Sequence, residues 1–91
     1  MQSIALAPRL DLSQASPLAT ALRQAGGTDL VLDASAVTHL GGLALQVLAS
    51  AAQGARTAGT SFTITPRSEA FDEALETFGL VPADLQTGEA E

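Results

Sequence analysis

A chain of 91 residues with 46% apolar content holds one compact domain and leaves no room for a second. Ten acidic residues face four arginines and no lysine, and the net charge of −6 repels phosphate backbones and anionic lipid, so neither nucleic acid nor a membrane surface is an expected partner. The absence of cysteine excludes a disulfide framework, a thiolate metal site and a cysteine nucleophile, while three Phe with no Trp or Tyr leave an aliphatic core and no stacking platform for bases or sugars.

Ser3 to Ala7 alternates weakly before Pro8 and predicts a short edge strand, with Arg9 to Leu12 as a second short extended piece. Met1 to Pro8 lacks the charged start and long apolar run of a secretory signal, which favours a cytoplasmic protein. Ser13 or Ser16 is the expected cap of a helix with Pro17 in its first turn, whose Leu18, Ala19, Leu22 and Ala25 recur at helical spacing until Gly26 and Gly27 stop it. Leu30 to Leu32, ending in Asp33, has the continuous apolar character of a central parallel strand buried on both faces. Gly41 and Gly42 open a second helix, expected to be mostly buried because Leu43, Leu45, Val47, Leu48, Ala51, Ala52 and Ala55 cover more than one face before Gly59.

Phe62 and Ile64 alternate with hydroxyl residues from Ser61 to Thr65, predicting a strand that Pro66 breaks. Ser68 then caps a helix that buries Phe71, Leu75 and Phe78 and places Glu69, Asp72 and Glu73 near its positive end. Leu80, Val81 and Leu85 return toward the sheet as a short fourth strand or turn, and residues 87–91 form a short acidic tail after a domain spanning 1–86. This order predicts an α/β fold: a small sandwich with a mixed, mostly parallel sheet of about four strands and helices mainly on one face.

The segment LVLDASAVTHLGGLALQVLASAAQGARTAG, Leu30 to Gly59, resembles the STAS family, the anti-sigma-factor antagonists and their relatives. The matching features are a buried strand ending in Asp33-x-Ser35, Val37 shortly after it, and a loop entering a helix rich in Leu, Val and small residues; FGL at Phe78 to Leu80 extends the likeness. In phosphorylated members a Ser or Thr follows an acidic residue at the mouth of that helix. Ungapped alignment puts Gly41 and Gly42 there, and a register closer to the lipid-transport STAS subunits, whose loop also reads Gly-Gly-Leu-Ala-Leu, puts His39 and Leu40 there. Neither register supplies a phosphate acceptor, and Thr38 is the nearest hydroxyl.

The resemblance implies a partner-binding surface made of Asp11, Ser35, Thr38, His39, Gly41, Gly42 and Leu43. Each has a plainer account beside it. Asp33 and Ser35 commonly bond their own loop backbone, Asp11 is also a capping residue, the glycines let the loop turn tightly, and the lone His39 lacks a second ligand or a paired nucleophile. Glu69, Asp72, Glu73 and Glu76 fall at helical spacing as a solvated face. With no nucleophile and base, metal cluster or phosphate-cradling loop in the sequence, the expectation is a non-enzymatic binding module without cofactor. Its expected partner is an anti-sigma factor or a histidine-kinase-like regulator, in a signalling system such as chemotaxis; the alternative is a subunit of a lipid-transport ATPase assembly. The oligomeric state stays open.

Overall fold

The computed structural model describes residues 2–86, and the tail expected at 87–91 lies outside them. Three strands, β1 (Gln2–Ala5), β3 (Leu30–Ala34) and β5 (Phe62–Arg67), form one parallel sheet in the order β1-β3-β5. A second parallel pair joins β2 (Arg9–Leu10) to β4 (His39–Leu40). The expected α/β architecture is present, with its strands divided between these two sheets. Helices α1 (Leu12–Gln24), α2 (Gly42–Ala58) and α3 (Glu69–Thr77) complete the fold, and Pro82–Leu85 adds a 3-10 turn that buries Leu85.

The helices share one face of the main sheet. Register places Ile4, Leu32 and Ile64 side by side, with Leu30 and Phe62 one step below, and Leu30, Leu32, Phe62 and Ile64 are buried against Leu22, Leu48 and Leu75. Each such leucine stabilises the fold by about 1.5–3 kcal/mol relative to an exposed position. Val31, Asp33 and Thr63 point to the other face and are only half-buried, so β3 is central but not covered on both sides. The run Leu30 to Leu32 hides this because Val serves equally on a partly open face.

Two element boundaries and the burial of α2 also differ from the sequence expectation. Asp11, read from the sequence as a capping residue beside its partner-binding role, caps α1 in place of Ser13 or Ser16: its Oδ1 accepts the Ser13 N–H at 3.1 Å and the Ser13 hydroxyl at 2.7 Å, so the helix starts earlier and Pro17 lies inside it. Leu12, expected to be extended, is its first residue and is 76% exposed. Pro66 does not end β5; between the Leu32–Ile64 and Ala34–Arg67 pairs the strand carries one extra residue, and a proline without an N–H is tolerated at such a bulge. Helix α2 is buried only along Ala44, Leu45, Leu48 and Ala52, leaving its other side in solvent.

Two predicted caps appear as expected. Ser68 Oγ accepts the Phe71 N–H at 3.1 Å, and Gly59 ends α2 in the left-handed region at φ 77°. Phe71 and Leu75 are buried on α3, but Phe78 falls just past its last turn and is 46% exposed. Of the strand or turn expected for the return segment, the structure has the turn; Gln86 Oε1 accepts the Ile64 N–H at 2.9 Å and so satisfies one donor on the open edge of β5.

Candidate functional site

The short β2–β4 pair determines which residues meet. The Pro8 carbonyl accepts the N–H of Thr38 at 2.7 Å and of His39 at 3.2 Å, and the Leu10 carbonyl accepts the Gly41 N–H at 2.9 Å. Residues 38–41 are thereby zipped onto residues 8–10, which sets Asp11, the cap of α1, beside Gly41, the cap of α2. Two helix N-termini adjoin at one end of the molecule. Thr38, His39, Gly41, Gly42 and Leu43 follow one another along this rim.

Gly41 sits where a side chain would be crowded. A Cβ there would lie 3.2 Å from the Leu10 carbonyl oxygen and 3.8 Å from both Asp11 Cα and His39 Nε2. Its neighbour differs: a Cβ on Gly42 would meet only the edge of the Phe78 ring, at 3.6 Å from Cε1 and 3.7 Å from Cζ, an ordinary contact. Phe78 therefore belongs to the rim, and the sequence reading, which placed it in the core, missed it. Helical spacing from Phe71 and Leu75 puts Phe78 on the same stripe, and the one sequence signal against burial was its position directly before Gly79, at the end of the helix.

Leu12, Leu43, Phe78 and Val81 are the large apolar side chains exposed among the described residues. Leu43 follows Gly42 and Phe78 lies against it at the α2 mouth, while Leu12 follows Asp11 at the neighbouring cap. Apolar side chains exposed around one helix mouth suit an interaction surface. The mouth itself carries no hydroxyl, since Gly41, Gly42, Leu43 and Ala44 make up the cap and first residues of α2, and no side chain caps it.

The polar residues are engaged locally. Asp33 Oδ1 accepts the Ser35 N–H at 2.9 Å and the Ser35 hydroxyl at 2.6 Å, so Ser35 is turned onto its own loop. The Ser35 hydroxyl holds the Asp33 carboxyl below its ordinary range. The Asp11 carboxyl is lowered first by the Ser13 hydroxyl, then by the Ser13 N–H and the charges of Arg9 and His39, with Arg9 Nε at 3.9 Å. Thr38 donates its hydroxyl to the Pro8 carbonyl at 3.1 Å. Among the described residues no three His, Cys, Asp or Glu side chains are grouped to hold a metal ion, and no helix is long and apolar enough to cross a membrane.

Comparison with curated proteins and with solved structures yields no match. A family model described as "Mlab, STAS domain" matches residues 2–83, which takes in every strand and helix and the rim assembled by β2 and β4. The chain belongs to the STAS domain family.

Proposed function

We propose that the chain is a non-catalytic protein-binding module of the anti-sigma-factor-antagonist kind, working in the cytoplasm and docking on a kinase-like or anti-sigma regulatory protein. STAS domains are generally binding modules, and the observation that carries the proposal is the exposed apolar rim of Leu12, Leu43 and Phe78 around a helix mouth without a hydroxyl. Docking at such a mouth is constitutive, because Gly41 and Gly42 offer no oxygen for a phosphate and the Thr38 hydroxyl is tied to Pro8. A chemotaxis or histidine-kinase system suits an adaptor of this type. A second function, as a subunit of a lipid-transport ATPase assembly, is favoured by Gly-Gly-Leu-Ala-Leu at 41–45 and by the description of the matching family model.

Affinity capture from the native cell with wild type and Gly42→Glu, followed by identification of the partner and intact mass of the bait, separates the two. A kinase-like or anti-sigma protein held by wild type, lost with Gly42→Glu and leaving the bait unmodified supports the adaptor. A transport ATPase replaces it with the second function, and a phosphorylated Thr38 removes the constitutive mode.

A further inference from the structure

Away from the β2–β4 zipper, α1 and α2 flank a groove of about 580 Å³, within the range of roughly 300–1,000 Å³ typical of small-molecule sites. Its α2 side runs from Leu43 to Ala55, about 18 Å at the rise of an α-helix, while Leu22 and Arg23 form the α1 side and Leu30 and Phe62 reach its floor. Gly54 lies on the α2 wall, and a Cβ added there meets nothing within 4 Å, so the space is open above the helix.

The charge of the lining is selective. The chain carries a net charge of −6, yet among the described residues no Asp or Glu lines the groove; the charged side chain that does is Arg23, in the last turn of α1, which forms no ion pair among the described residues. Along α2 the apolar Leu43, Val47, Ala51 and Ala55 are interspersed with Gln46 and Ser50, and this apolar row with one unneutralised guanidinium is complementary to a single-chain molecule with an apolar tail and an anionic head. We propose that this groove binds a free acyl carboxylate, its chain laid along α2 and its head group at Arg23. The far end of the trough is Leu43, which is also exposed at the helix mouth, so a bound chain reaches the docking rim.

The test is an amide-shift NMR titration of the ¹⁵N-labelled full chain with octanoate, decanoate and dodecanoate, and with dodecyltrimethylammonium as the cationic control, all below micelle formation. Saturable shifts along α2 from Leu43 to Ala55 and at the end of α1 are expected, with affinity rising about threefold to fourfold per methylene and little binding of the cation. Arg23→Gln, at an exposed position, weakens dodecanoate about fivefold. Gly54→Leu, which favours the helix and fills the groove, abolishes binding without lowering the melting temperature. No saturable binding, equal binding of the cation, no dependence on chain length, shifts confined to Phe78 and its neighbours, or unaltered binding by either variant overturns the proposal.

Discussion

Two adjacent glycines at the α2 mouth are predicted to respond oppositely to the same substitution. Gly41 has an extended backbone, φ −83° and ψ 163°, open to any residue, so the obstacle to alanine is the Leu10 carbonyl 3.2 Å from the new Cβ. That oxygen cannot withdraw freely, because it accepts the Gly41 N–H at 2.9 Å and belongs to the β2–β4 ladder. Replacing a glycine N-cap by alanine costs about 0.5–1 kcal/mol, and crowding against fixed backbone adds about as much again. Gly42→Ala meets only ordinary contact with the Phe78 ring and gains helix propensity of about 0.5–1 kcal/mol. At about 4–8 °C per kcal/mol for a domain of this size, the two variants should melt roughly 10 °C apart, Gly41→Ala below wild type and Gly42→Ala above it. Thermal unfolding followed by far-ultraviolet circular dichroism reads the difference. If Gly41→Ala melts with wild type, the Leu10 carbonyl is not held where the geometry puts it, and the β2–β4 pair does not fix the rim.

Phe78→Ala should cost under about 1.5 kcal/mol because the ring is half exposed, yet abolish partner capture, whereas Phe71→Ala, at a fully buried ring, should cost about 3–5 kcal/mol; urea midpoints alongside capture yields separate the two. Thr38→Val loses the hydroxyl bond to Pro8 and should destabilise by about 0.5–1.5 kcal/mol while the captured partner stays bound, and loss of binding at unchanged stability would make the Thr38 hydroxyl part of the interface. The folded Asp11 and Asp33 carboxyls lie below their ordinary 3.8, so their ionised forms favour folding; that contribution is present above 3.8 and is lost as pH falls through the folded values. Urea midpoints should therefore drop below about pH 4, and less steeply in Asp11→Asn, which keeps the cap but not the titration; an unchanged slope would remove Asp11 from the account.

The elements with strong local signals were legible in the chain. Gly41 and Gly59 bracket α2 because one caps an extended entry and the other a left-handed exit, and Ser68 announces α3 because a hydroxyl there satisfies the Phe71 N–H. The β2–β4 pair was not legible. Two residues per strand carry no periodicity, and their pairing rests on backbone bonds such as Thr38 to Pro8, formed across 30 residues of chain. Pro66 misled for a related reason, since its tolerance depends on a bulge set by the partner strand.

The candidate rim divides along the same line. Its glycines and Leu43 were readable because they open a helix, while Phe78 comes from an element that only tertiary packing brings to Gly42. The division bears on function. A helix mouth carrying a serine could be switched by adding charge to one residue, but Gly41 and Gly42 offer no oxygen for that change. Phe78, just past α3, and Leu43 on α2 are exposed side chains beside these glycines, and Leu43 is shared with the α1–α2 groove. If an acyl chain lies in the groove, it alters the apolar surface offered to a partner without any covalent change. Dodecanoate should then change the capture yield of wild type and leave that of Gly54→Leu unaltered, and an equal change in both would disconnect the groove from docking.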